Sequence, residues 1–317
     1  MATADPAHLD ARVRASEVTL ARGIRRGTVE HTVTTERGVE VRVVEFAGDG
    51  RESEDRPPIV MLHGIASVTA LALPVIAALA GRRVLAVDWP GHGLSGVEIL
   101  AKGAELRDHV QTVLDAVWAA LALDRVDLVG HSLGGHFGLL YAVSRPERIR
   151  RLVLLGAPGA AFEGAHSPLG MRLAAVPGLG TGLLGLSISQ PATRRGFVRT
   201  LGAHAVDALP EETIEIAHLT SQRPSFAPTV SSLFRALMTP FAVRPGIPLT
   251  RAELATLTAP TLLVLGADDI ILTQTAGAGS MSAVAGGRML EVAGGHAPWL
   301  DDPTVPNAVA AFLGEPS

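Results

Sequence analysis

The chain has 317 residues, with 27 Lys and Arg against 31 Asp and Glu, a net charge of −4. That length holds about two domains, or one large domain with an insertion, and a mildly acidic chain without a long basic block excludes nucleic acid as a partner. Cysteine is absent, which excludes disulfides, thiolate metal sites and a thiol nucleophile.

The opening residues Met1 to Pro6 lack the apolar core of a signal peptide. No uninterrupted apolar run reaches the ~18 residues of a membrane span. The expectation is a cytoplasmic protein without a membrane span. Residues 1–27 read as an N-terminal extension, locally basic through Arg12, Arg14, Arg22, Arg25 and Arg26, which is either a solvated helix packed on the body or a contact for a membrane surface or partner. Val29, His31 and Val33, then Val39, Val41 and Val43, alternate about the turn Glu36-Arg37-Gly38, which predicts an antiparallel hairpin over Thr28 to Phe46. Gly48 to Arg56 is polar and turn-like.

A buried strand, Ile59 to Leu62, ends at His63-Gly64-Ile65. A helix follows through Leu79, and then a strand, Val84 to Val87. That strand closes on Asp88-Trp89-Pro90-Gly91-His92-Gly93-Leu94-Ser95. His63, Asp88 and His92 sit on tight turns beside core strands, so they are read as loop braces; Trp89 fits the pocket and the core equally. Leu106, Val110, Val113, Leu114, Val117 and Leu121 make one helical stripe over 104–123.

Val126 to Val129 then leads into Gly130-His131-Ser132-Leu133-Gly134, and an apolar helical pattern follows. This is G-x-S-x-G in the strand, turn and helix context that aims a serine outward. The glycines remove side chains that would crowd the strained turn. At the helix start the N–H of Leu133 can face a developing oxyanion. The second donor of such a site comes from the loop after an early strand, which points to the N–H of Ile65.

The next strand, Arg151 to Leu155, ends at Gly156-Ala157-Pro158. Helices alternating with short buried strands signal a parallel sheet covered on both faces. That rhythm stops over residues 159–248, read as a helical cap with helices near 191–204, 210–222 and 228–238. Its first segment carries Met171, Leu173, Val176, Leu179, Leu183, Leu184, Leu186 and Ile188. These either pack on the core or roof an apolar pocket, the second giving a neutral substrate with an apolar acyl part. Arg194, Arg195 and Arg199 lie on a solvated face or receive a carboxylate. The core is thus assigned to 28–158 and 249–317. It resumes with the capping box Thr250-x-x-Glu253 and the strand Thr261 to Leu265, which ends in Gly266-Ala267-Asp268-Asp269. The last strand, Arg288 to Val292, is followed by Gly295-His296-Ala297-Pro298 and a closing helix to about Leu313.

A serine hydroxyl needs a base to take its proton, and the base needs an anchor. Ser132, an aspartate at 268 or 269, and His296 each follow a separate buried strand, so their loops can meet at one sheet edge. Together His63-Gly64, Asp88 to Ser95, Gly130 to Gly135, Gly266 to Asp269 and Gly295 to Pro298 resemble the α/β-hydrolase family, over about residues 57–160 and 250–313. The resemblance implies the α/β-hydrolase fold: a mostly parallel sheet with helices on both faces and a helical cap insertion. It also implies a serine hydrolase, without cofactor or metal, cleaving a carboxylic ester, thioester or lactone. Ser132 would be the nucleophile and His296 the base. Asp269 would be the acid, because relatives place it three residues after the strand-ending glycine, here Gly266. Ile65 and Leu133 would form the oxyanion hole.

Epoxide hydrolases and haloalkane dehalogenases of this fold carry an aspartate where Ser132 stands, and the cap has no tyrosine to activate an epoxide. An acyltransferase, a lyase or a carbon–carbon bond hydrolase can use the same triad. The carbon–carbon hydrolases usually carry asparagine before the nucleophile, where this chain has His131. A non-catalytic small-molecule receptor is the remaining alternative, opposed by every triad position being filled. The histidines form no H-x-x-x-H pair backed by a carboxylate, so no metal site is implied.

Overall fold

A computed structural model describes residues 6–49 and 56–315. The first five residues and most of the turn expected over 48–56 lie outside the described residues. The chain opens with a helix, α1 (Pro6–Gly23), and a hairpin, β1 (Thr28–Thr34) and β2 (Glu40–Phe46). Gly38, at φ 74°, takes the left-handed position of the connecting turn. There follow β3 (Ile59–Leu62), α2 (Leu73–Ala78), β4 (Val84–Val87), α3 (Leu106–Ala120), β5 (Val126–His131), α4 (Leu133–Ser144) and β6 (Ile149–Leu155).

After β6 comes a run of helices: α5 (Leu169–Ala174), α6 (Leu179–Leu184), α7 (Gln190–Leu201), α8 (Ala203–Asp207), α9 (Glu211–Ser221) and α10 (Phe226–Leu237). The single helix expected over 191–204 is broken into α7 and α8 by Gly202, whose φ of 100° cannot continue a helix. The chain returns through α11 (Arg251–Leu254), β7 (Thr261–Gly266), α12 (Gln274–Met281), β8 (Arg288–Val292), α13 (Pro298–Asp301) and α14 (Val305–Gly314). Thr250 and Glu253 form the reciprocal capping box at the start of α11.

The eight strands make one sheet in the order β1-β2-β4-β3-β5-β6-β7-β8. The hairpin and the β2–β4 pair are antiparallel and every later pair is parallel. Strands β3 to β7 are buried almost throughout, as expected where helices cover both faces. One face is covered by the apolar stripes of α3 and α4, the other by α2 and α14 together with Leu9 and Val13 of α1. Parallel strands send their C-terminal ends to the same edge. The loops after β3, β5, β6, β7 and β8 therefore converge there, which brings together residues far apart in sequence.

A buried ion cluster fixes the edge nearest α1. Arg42 of β2 donates to Glu17, Glu30 and Asp88, and Asp88 also accepts from Leu94 N–H and Thr69 Oγ1. Burial weakens the charge on Arg42, but its carboxylate partners outweigh that and hold its pKa above the ordinary value. Asp88 therefore braces the 88–95 loop, and Trp89 is fully buried in the core, edge-on to Phe137. Among the described residues no helix is long and apolar enough to cross a membrane.

Candidate active site

Strand β5 ends at His131 and α4 begins at Leu133, so Ser132 alone makes the turn between them. Its backbone sits at φ 53°, ψ −118°, a region that side chains other than glycine avoid. The neighbouring glycines make the turn possible. A Cβ on Gly130 would lie 2.5 Å from the Gly134 carbonyl oxygen, and one on Gly134 would lie 2.2 Å from that of Leu62. Any side chain there would push the turn off β3.

Across the sheet edge, Asp269 Oδ2 lies 2.8 Å from Nδ1 of His296. The same oxygen accepts from the N–H of Ala157 at 2.9 Å, and Oδ1 accepts from the N–H of Ile271 at 2.8 Å. Burial pushes the Asp269 pKa up, but His296 and the two backbone donors outweigh it and hold the carboxyl below its usual range. An ionised Asp269 fixes the imidazole proton on Nδ1 and leaves Nε2 as an acceptor. Asp268, by contrast, is exposed. Gly156-Ala157-Pro158, directly after β6, offers no carboxylate, but its Ala157 N–H orients one, a role invisible in its side chains.

Three further histidines brace the loops. His131 donates from Nε2 to the His296 carbonyl at 3.1 Å, and its ring packs edge-on to Trp299. Burial holds the His131 pKa down to about 3, so the ring is neutral. His63 donates from Nδ1 to the Gly64 carbonyl at 2.8 Å and accepts at Nε2 from Trp89 N–H at 3.2 Å. His92 accepts at Nε2 from Ala66 N–H at 2.9 Å and donates from Nδ1 to the Pro90 carbonyl at 3.1 Å. Burial lowers the pKa of both, that of His92 to about 3. Ile65 is therefore held on both sides by neutral imidazoles, with Ala66 at φ 51° completing the turn. Neither the N–H of Ile65 nor that of Leu133 has an acceptor among the described residues.

Ile65, Ser132 and Leu133 line one pocket, a narrow cavity of about 30 Å³. Its other walls are almost wholly apolar: Met171 of α5, Phe234 and Leu237 of α10, then Met238, Val243 and Ile271. Among the described residues His166 is the one titratable side chain that lines it, and no Arg or Lys does. The roof thus differs from the sequence expectation. Of the apolar residues between 171 and 188, Met171 alone lines the cavity, while Leu173, Leu179, Leu183, Leu186 and Ile188 face outward and are exposed. Sequence reasoning missed Phe234 as a wall because its helical stripe reads as ordinary core. Arg194 is ion-paired with Asp207 and Glu211, and Arg195 and Arg199 are exposed away from the cavity. Among the described residues no three His, Asp or Glu side chains converge as metal ligands.

Comparison with known proteins agrees with this architecture. A family described as having the alpha/beta hydrolase fold matches residues 57–194. The chain is 32% identical over 227 residues to the 2-hydroxymuconate semialdehyde hydrolase of Pseudomonas sp. (strain CF600), an overlap of 68% of this chain and 71% of that protein. It is 35% identical over 193 residues to the 2-hydroxy-6-oxo-2,4-heptadienoate hydrolase of Pseudomonas putida F1, spanning 56% of this chain and 60% of the relative. Among solved structures, a carboxylesterase of Bacillus subtilis superposes with a TM-score of 0.73 at 23% identity, covering 97% of this chain and 99% of that one. The parallel sheet, the serine turn between β5 and α4 and these hydrolytic relatives share one explanation: the chain belongs to the α/β-hydrolase family.

Proposed function

We propose that this hydrolase cleaves a neutral carboxylic ester through Ser132. The supporting observation is an apolar cavity lined by Ser132, Ile65 and Leu133, the last two with N–H groups that lack acceptors among the described residues, at the sheet edge where His296 and Asp269 are hydrogen-bonded to each other. Ser132 Oγ attacks the carbonyl carbon while His296 Nε2 takes its proton. The N–H groups of Ile65 and Leu133 receive the oxyanion, a term that usually dominates such catalysis. The tetrahedral intermediate collapses, the imidazolium protonates the leaving alcohol, and the acyl group stays on Ser132. Water, deprotonated by the same imidazole, then releases the acid. Asp269 stays ionised and stabilises the imidazolium in both halves.

A second reading, carbon–carbon bond hydrolysis, has the names of the two sequence relatives in its favour. Those names describe dienoate and muconate compounds, which carry carboxylates. Among the described residues no Arg or Lys lines the cavity to receive one, and His131 stands before the nucleophile where the carbon–carbon hydrolases usually have asparagine. The test offers the protein p-nitrophenyl esters of graded chain length beside 2-hydroxymuconate semialdehyde. Ester turnover is expected, together with fluorophosphonate labelling. Both should fall by about 10³-fold or more in Ser132→Ala while the fold is retained. Turnover of the muconate compound alone would favour the second reading, and an unreactive Ser132 would end both.

A further inference from the structure

The outward side of the cap combines features a folded surface rarely leaves uncovered. Helices α5 and α6 pack on each other and on α10. Their outer side chains are large and apolar: Leu169 is 61% exposed, Leu183 43% and, just past α6, Leu186 60%. Phe241, on the turn after α10, is 84% exposed. Arg172 donates from Nη1 to the Phe241 carbonyl at 3.2 Å, which ties that turn to α5 and makes these residues one face. Contiguous apolar surface of this kind marks an interaction site.

The charge on the same side is mostly positive. No acidic residue occurs between Glu163 and Asp207, or between Glu215 and Glu253. Beside α6 opens a cleft of 970 Å³ rimmed by Lys102, Arg235 and Arg244, with Glu105 its one acid among the described residues. Arg235 is steadied by Ser231 Oγ at 2.8 Å and Arg244 by the Arg235 carbonyl at 2.7 Å. Among the described residues, neither arginine, nor Arg172, nor Lys102 has a carboxylate partner, whereas Arg42, Arg82, Arg83 and Arg150 all do.

We propose that this face docks on an anionic lipid surface. Leucines and Phe241 enter the boundary between headgroups and acyl chains, and Arg172, Arg235, Arg244 and Lys102 meet headgroup phosphates. A second copy of the chain is disfavoured by the same charges. A two-fold contact sets the patch against itself and would bring these cations together. The face also lies over the cavity, because Met171, on the α5 turn between Leu169 and Leu173, is one of the walls beside Ser132. Docking therefore brings a bilayer against the roof of the reaction pocket. This deepens the ester reading and rests on it for the substrate class, an amphiphilic ester drawn from a membrane whose short acyl group enters the cavity; the docking itself does not depend on turnover.

The test is co-sedimentation of the full chain, carrying Ser132→Ala to prevent turnover, with vesicles of phosphatidylcholine alone or with phosphatidylglycerol added. Binding is expected to be at least about tenfold stronger on the anionic vesicles and to weaken with salt. Leu186→Ser with Phe241→Ser should lose about tenfold or more on them, since both side chains leave the lipid. Arg235→Gln with Arg244→Gln should lose a similar factor. All four residues lie wholly or partly at the surface, and unchanged melting temperatures would show intact folds. Binding to neither vesicle, or binding that survives both double variants, overturns the proposal. So does self-association that Leu186→Ser with Phe241→Ser abolishes, which would assign the face to a second copy. Vesicle binding by a protein whose wild type turns over no ester would leave docking standing and remove the ester reading; ester turnover without vesicle binding would do the reverse.

Discussion

Two adjacent aspartates with the same side chain have opposite environments. Asp269 is 9% exposed and its carboxylate is held by His296 and two backbone N–H groups, while Asp268 points to solvent. Asp269→Asn removes the anion that orients the imidazole and stabilises its charged form, so kcat should fall about 10³- to 10⁴-fold. Asp268→Asn should change kcat by less than about threefold, as for a surface substitution away from the reacting atoms. Steady-state kinetics on one p-nitrophenyl ester checks both, and the reverse ranking would reassign the acid. The count of three from Gly266, carried over from the resemblance to relatives, points to Asp269, and the ranking of the two variants tests it. What holds Asp269 was not legible in the sequence. Its partners Ala157 and Ile271 act through backbone N–H groups, which every non-proline residue has.

At the scale of elements, the parallel core was legible and the facing of the cap helices was not. Strands β3 to β7 announce themselves as short unbroken apolar runs, and α3 as a single stripe. In α5 and α6 the pairs Leu169 with Leu173 and Leu179 with Leu183 each share a face that reads as core-facing from its spacing, yet that face is exposed. The prediction at this scale concerns the cavity wall. With Met171, Phe234 and Leu237 in place the space beside Ser132 is about 30 Å³, which suits a short acyl chain. For soluble esters kcat/KM should therefore peak near acetyl or propionyl and then fall. Met171→Ala removes three heavy atoms from a half-buried position on α5 and should move the peak about two carbons longer. Each methylene newly buried adds ~0.8 kcal/mol, roughly threefold to fourfold in kcat/KM. An unchanged chain-length profile would show that the acyl group lies elsewhere.

For the whole molecule, the buried histidines set the response to acid. His92, His131 and His136 are 1%, 5% and 0% exposed, and burial holds their pKa values down to about 3, 3 and 4. Nothing in the sequence marks them as buried, since each sits among glycines and apolar residues that suit either a turn or a core. In the unfolded chain each titrates near 6.5. Between about pH 6.5 and 4 the unfolded state therefore binds up to three more protons than the native one, and stability falls as pH falls. Each histidine contributes about 1.4 kcal/mol per pH unit in that window, together about 4 kcal/mol per unit. Asp269 works in a lower range. Its depressed pKa adds stability above the ordinary carboxyl value that is lost only as pH drops through the folded one. Set against a total of about 5–15 kcal/mol, the histidines should remove most of the protein's stability by about pH 4. Urea melts at half-unit steps from pH 7.5 to 5 measure this directly. The unfolding free energy should be flat above pH 7 and decline with increasing slope below 6.5. His136→Leu, which removes one such group from α4 without touching Ser132, Asp269 or His296, should reduce the limiting slope by about 1.4 kcal/mol per pH unit. A stability that stays level down to pH 5 would mean that these rings accept protons in the folded state.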